Sequence, residues 1–350
     1  MTRPDPRPIR RANTSLPVAA ADPRPAGLAA LFDRLDEYAR AAAGAFARNT
    51  ERALAADTRV FATWCGASGQ AMLPASPETV AAFIDAQAEL KAPATVARYR
   101  ASIAALHRAA GLENPCQAEA VRLAIRRMNR AKGRRQKQAE PLNRGSVERM
   151  LGHHDAAPSR NFASPPAAAP RLIDWRDAAL IAVAYDTLLR RSELVSLRVE
   201  DLQRAADGSA TILVRRTKTD QDGEGAVKYL APDTLRHLDA WLAGAGFLSG
   251  PVFRPVDKLG RAGDTPLEAQ EVRRLFQKLA AQAGVILPRP PSGHSTRVGA
   301  AQDMLAAGLE LGEVMQAGSW KSVTMVARYG ERLLARRGAA RKLATVQNRA

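Results

Sequence analysis

A chain of 350 residues, 46% of them hydrophobic and 25% charged, is long enough for a sizeable core and reads more naturally as two domains than one. Its 52 Lys+Arg against 35 Asp+Glu leave a charge of +17, which favours a polyanionic partner, because each neutralised phosphate releases condensed counterions. Nucleic acid is the first expectation and an anionic membrane surface the second. The membrane finds no support, since no apolar run approaches the ~18–20 residues of a spanning helix. Nor does an apolar stretch follow the N-terminal arginines, as a secretory signal would require. Two cysteines, Cys65 and Cys116, make neither a disulfide framework nor a zinc site, so a reducing, cytoplasmic location is expected.

Residues 1–27 interleave Pro4, Pro6, Pro8, Pro17, Pro23 and Pro25 with Arg3, Arg7, Arg10, Arg11 and Arg24, and show no periodic apolar face. Such a segment buries too little apolar surface to order itself and is expected to be a disordered basic arm. From 28 to 132 the pattern predicts a helical domain, with stripes over 28–43, 50–64, 95–110 and 118–130. Its clearest element opens at Ser76-Pro77-Glu78, an N-cap followed by proline at the first helical position, and continues with Val80, Phe83, Ile84 and Ala88 at helical spacing. A basic run from Arg126 to Lys137 leads into a linker over 133–140, either a solvated connection or one that tracks a phosphate backbone.

A second domain is expected over 141–350. Its Pro/Ala/Ser-rich stretch at 156–170 reads as a surface loop. An apolar helix covers 173–189. Thr211-Ile212-Leu213-Val214 reads as a short strand, and 226–230 returns as its hairpin partner across the turn-like 220–225. Helices follow over 232–243, 266–283, 295–307, 311–317 and 323–329, with a terminal one to about 346. The fold class is therefore mainly α with a small β-hairpin or sheet.

Four short segments carry candidate chemistry. In Gly293-His294-Ser295-Thr296-Arg297-Val298-Gly299-Ala300-Ala301, His294 and Arg297 stand three apart at a helix start and share a face. An arginine entering so apolar a helix is costly unless an anion or a distant structural partner meets it. In Leu188-Leu189-Arg190-Arg191-Ser192-Glu193, Arg190 ends one helix and Glu193 opens the next, where a carboxylate can fix a guanidinium's orientation or simply make an ion pair. Lys218, in Arg216-Thr217-Lys218-Thr219, sits at the hairpin and has solvation as its ordinary explanation. Trp320 and Tyr329, with Met325 and Val326 between them, have core packing as theirs.

Taken in order, these segments resemble the tyrosine recombinase (phage integrase) family, well over the second domain and loosely over the first. That family's set is an arginine, a β-hairpin lysine, His-x-x-Arg, a histidine or tryptophan, and a nucleophilic tyrosine. Here the positions are Arg190, Lys218, His294, Arg297, Trp320 and Tyr329. The resemblance implies that Tyr329 attacks a DNA phosphodiester in line and forms a 3′-phosphotyrosine, which retains the bond energy for religation. Arg190 and Arg297 would stabilise the charge on the non-bridging oxygens. An ordinary phenol, with a pKa near ~10, needs a base, and His294 fills that role; the 5′-alkoxide needs an acid, and Lys218 is its counterpart. Trp320 would pack and donate its indole N–H near the phosphate, with Glu193 supporting the arginines.

No divalent metal, ATP or other cofactor is implied. The helical domain would bind the core of a specific recombination site in double-stranded DNA, and with the catalytic domain would close as a C-shaped clamp. The protein would be a monomer in solution and a homotetramer on two sites, passing through a Holliday junction, with a nucleoid-associated location. The helix after Tyr329, with Leu333, Leu334, Leu343 and Val346, would dock into a neighbouring protomer or pack on its own domain. Two alternatives stand beside this reading: a relaxing enzyme of the type IB topoisomerase kind, and a non-catalytic DNA-binding protein of the same fold.

Overall fold

The computed structural model describes residues 26–135, 137–155, 170–217 and 224–349. The arm expected over 1–27 lies outside them except for Ala26 and Gly27, which open the first helix; Lys218 and nearly all of the 156–170 loop also lie outside. The fold is mainly helical with one small sheet, as its composition and periodicity predict. Contacts divide it into two compact units, 1–136 and 137–350. No helix among the described residues is long and apolar enough to cross a membrane.

The first unit is a bundle of α1 (Ala26–Ala41), α2 (Arg48–Ala67), α3 (Pro77–Leu90), α4 (Pro93–Ala109) and α5 (Glu119–Lys132). Ser76 caps α3 by accepting the Thr79 amide at 3.1 Å, and Pro77 opens the helix where its missing N–H costs nothing. The core centres on Phe83, whose ring meets those of Phe61, Trp64 and Tyr99 at 4.9, 5.4 and 5.9 Å. Helix α5 buries only Val121, Ala124 and Met128, so the basic run starts on its outer face, where Arg127 pairs with Asp85.

The second unit contains α6 (Arg144–Asp155), α7 (Leu172–Thr187), α8 (Arg191–Leu194), β1 (Leu202–Arg204), β2 (Ala210–Val214), β3 (Ala226–Leu230) and α9 (Pro232–Ala245). It continues with α10 (Glu271–Gln282), α11 (Ser295–Ala307), α12 (Leu311–Gly318), α13 (Val323–Tyr329), α14 (Glu331–Arg337) and α15 (Ala339–Val346). Helix α7 is apolar around most of its girth and is accordingly buried from Arg176 to Ala184. The sheet is antiparallel in the order β1-β2-β3, with Ile212 opposite Lys228 and Ala210 opposite Leu230. A second, smaller core of Leu188, Ala300, Ala301, Leu305, Val314, Trp320 and Val326 lies beneath α11, α12 and α13.

The structure corrects several boundaries. Arg190 does not end the apolar helix: α7 stops at Thr187, Leu188 turns left-handed with φ 52°, and Arg190 is the N-cap of α8. The single terminal helix is two, α14 and α15, separated at Gly338. Helix α10 starts at Glu271 rather than near 266, and neither α6 nor β1 was expected.

Candidate active site

The site is built around the first turn of α11. His294 is its N-cap and Arg297 its third residue, so both project from one end of the helix. Gly299 is a steric necessity there, because a Cβ would stand 1.9 Å from the Leu142 carbonyl oxygen of the crossing chain. That crossing segment is further fixed by Leu142 N–H donating to Ser295 O at 2.9 Å.

Arg297 is only 3% exposed, yet among the described residues no carboxylate forms an ion pair with it. Its Nη1 donates to Leu188 O, its Nη2 to Gly318 O at 2.7 Å, and its guanidinium lies 4.1 Å over the Trp320 ring. Asp303, the nearest carboxylate downstream, is engaged elsewhere by Arg144 N–H at 2.7 Å and the Tyr185 hydroxyl at 2.6 Å. Both anchor points of Arg297 involve left-handed backbone at non-glycine residues, Leu188 at φ 52° and Ser319 at φ 51°. Such conformations cost on the order of 1 kcal/mol each and persist where surrounding packing over-determines them. Between them, Gly318 must lack a side chain, since a Cβ would fall 1.9 Å from the Trp320 ring.

Arg190 stands beside this group. Its Nη1 donates to Glu193 Oε1 at 2.8 Å, and its own amide donates to Glu193 Oε2 at 2.9 Å, so one buried carboxylate fixes both ends of the residue. Tyr329, the last residue of α13, is half-buried, with its ring 5.4 Å from that of Trp320. Gln302 holds the Tyr329 carbonyl at 3.0 Å.

The electrostatics of the cluster are cation-rich. Burial, and then the charge of Arg190, bring the Arg297 guanidinium down to about 10, while Tyr329 and Glu193 act in the opposite direction. His294 reaches the surface, yet crowding by the surrounding protein, followed by Arg297, Arg190 and Arg191, lowers its proton affinity below the usual histidine range. A neutral imidazole at pH 7 can accept a proton, which a base requires.

Arg190, Glu193, His294, Arg297, Trp320 and Tyr329 thus gather in one place, and Lys218 lies outside the described residues. Among the described residues, no group of three or more His, Cys, Asp and Glu side chains gathers to hold a metal ion. Lys228, buried on β3 and electrostatically coupled to Arg297, Arg190 and Glu193, is a member of the cluster that the sequence analysis missed. The available signal was strand alternation, which puts Lys228 on the same face as Leu230.

Residues 166–334 match the phage integrase family. The chain is 31% identical over 311 residues to the Cre recombinase of Escherichia phage P1, covering 84% of this chain and 87% of that protein. It is 32% identical over 295 residues to an integrase/recombinase XerD homologue of Selenomonas ruminantium, covering 81% and 82% respectively. Among solved structures it is similar to the Tn1549 transposon integrase in complex with a circular intermediate DNA, with a TM-score of 0.58 at 14% identity, over 85% of this chain and 94% of that one. The chain belongs to the phage integrase family, the tyrosine recombinases. As a member it is an enzyme of site-specific recombination, the class to which its gathered side chains also point.

Proposed function

We propose that this protein cuts and rejoins double-stranded DNA at a specific recombination site, with Tyr329 as the nucleophile. The observation that carries the assignment is the chain of contacts from Arg297 through Trp320 to Tyr329, a buried unneutralised guanidinium stacked on a ring that touches a phenol. A phosphate is the anion that fits, because guanidinium N–H pairs match its oxygens and its charge offsets the buried cations.

In the cleavage step the Tyr329 oxygen bonds to phosphorus as the bond from phosphorus to the 5′-oxygen breaks. The phenol proton passes to His294 and the leaving oxygen takes one from Lys218. Arg190 and Arg297 stabilise the charge that develops on the non-bridging oxygens, and Glu193 keeps Arg190 aimed. Attack by a 5′-hydroxyl of a second strand reverses the step and releases the tyrosine. Bond energy is conserved in the phosphotyrosine, so the cycle calls for no nucleotide cofactor.

The first unit, with its basic α5, binds the recombination site alongside the catalytic unit, and four protomers on two sites exchange strands through a Holliday junction. The Cre and XerD relatives support strand exchange over the relaxing activity of a type IB topoisomerase. The presence of Arg190, His294, Arg297 and Tyr329 together disfavours a purely DNA-binding role. The test is a nicked suicide duplex carrying the site: wild type should accumulate a covalent protein–DNA adduct and Tyr329→Phe none. An adduct that persists in Tyr329→Phe would reassign the nucleophile.

A further inference from the structure

Lys228 has no part in the chemistry above, yet it sits at its centre. On β3 the strand alternation is inverted relative to hydrophobicity: Val227 and Tyr229 face outward, while Lys228 is 6% exposed and faces inward opposite Ile212. Leu230 opposite Ala210 fixes this register, so the lysine cannot turn outward without exposing the core face of the strand. Its Nζ donates to Ala317 O at 2.6 Å and to Ser319 Oγ at 2.7 Å, both neutral acceptors. Burying an ammonium on neutral partners is unfavourable. Desolvation, reinforced by Arg297 and Arg190 and opposed by Glu193, brings Lys228 down to about 8.

Its partners explain what the lysine does. Ala317 and Ser319 flank Gly318, whose carbonyl accepts from Arg297, and the next residue is Trp320, which supports the Arg297 guanidinium and touches Tyr329. The three-residue turn at the end of α12 is therefore gripped from the sheet side by Lys228 and from the α11 side by Arg297. Ser319 holds its left-handed φ of 51° within that grip.

We propose that Lys228 is a positioning residue for strand cleavage, its ammonium pinning the 317–319 turn so that Trp320 sets the separation of Arg297 and Tyr329. It acts through the turn and not on the DNA. The inference rests on the assignment of Tyr329 and Arg297 given above.

The test uses the full-length protein and the nicked suicide duplex, with adduct formation followed in single turnover at saturating DNA and duplex affinity measured separately. Lys228→Met, which fills the same space without charge, should slow adduct formation by about 10²-fold, the penalty of a small misplacement of reacting groups, while the Kd stays near that of wild type. Ser319→Ala should slow it by a smaller factor, and in the Lys228→Met background it should add nothing, because both changes release one turn. A saturating rate for Lys228→Met close to wild type overturns the proposal. So does a weakened Kd at an unchanged saturating rate, or losses that multiply in the double variant; either would put the ammonium on the DNA. Should Lys228→Met fail to fold, Ser319→Ala decides alone, and a wild-type rate there refutes the role of the turn. Absence of any adduct with wild type would instead overturn the functional assignment, and this inference with it.

Discussion

Two charge clusters in the second unit solve the same problem in opposite ways. Between α7 and α10, Arg176 pairs with Asp177 at 2.6 Å and Lys278 reaches the other oxygen of Asp177 at 2.9 Å, with Asp174 a further 4.0 Å from Lys278. Each cation there meets a carboxylate. Around α11, Arg190 bonds Glu193, while the more buried Lys228 and Arg297 feel that carboxylate only at a distance and lean on backbone carbonyls and a hydroxyl. Carbonyl dipoles hold a cation in place but leave its charge largely uncancelled. The first cluster is complete as folded, whereas the second keeps an excess of positive charge, which under the proposed function an incoming phosphate would offset. Burial alone does not separate a structural charge from a functional one; the kind of partner does.

That contrast can be broken by experiment. The largest effect is expected for Arg297→Ala, which should lower the cleavage rate by about 10²–10³ through loss of stabilisation in the transition state. Urea unfolding should show far less change, and a large loss of stability at a near-normal rate would make Arg297 structural. Asp177→Asn should do the reverse. It strands the buried Arg176 and weakens the hold on Lys278, and should cost about 3 kcal/mol of unfolding free energy, with single-turnover cleavage by the folded protein unchanged; slowed cleavage without destabilisation would erase the distinction between the clusters. The smallest effect concerns pH. Because the His294 proton affinity is lowered, its imidazole stays neutral at pH 7 and protonates only below the usual histidine range. The cleavage rate constant at subsaturating DNA should therefore hold as pH falls through that range, then drop about tenfold per unit below it. This limb should be missing in a slower His294→Ala, and a profile that keeps it would assign the titration to another group.

Much of this was legible in the sequence where local chemistry dictates structure. Ser76-Pro77 fixed the start of α3, and α11 and α13 run over the residues that their apolar spacing predicts. His294 and Arg297 emerge together because a helix start leaves no freedom to separate them. What stayed hidden depends on contacts distant in the chain. The carbonyls that hold Arg297 come from residues 109 and 21 positions away, and nothing in a carbonyl distinguishes it in a sequence. Lys228 was missed because Val227 and Tyr229 on either side invite the opposite register, which only the pairing of Leu230 with Ala210 decides. Arg190 was placed on the wrong side of a helix boundary because a left-handed leucine at 188 is rare enough to go unexpected.

The short segment from Gln138 to Asn143 has a consequence for anyone recombining parts of these enzymes. Gln138 donates to the carbonyl of Arg328, next to Tyr329, and Arg289 holds Glu140 and the Gln138 carbonyl. Leu142 bonds to Ser295 and fills the notch left by Gly299. In sequence this stretch looks like connector, but it is a structural brace of the second unit. A chimera that grafts a foreign first unit should be spliced at or before residue 136; a junction at 141 would carry Gln138 and Glu140 away with the discarded half.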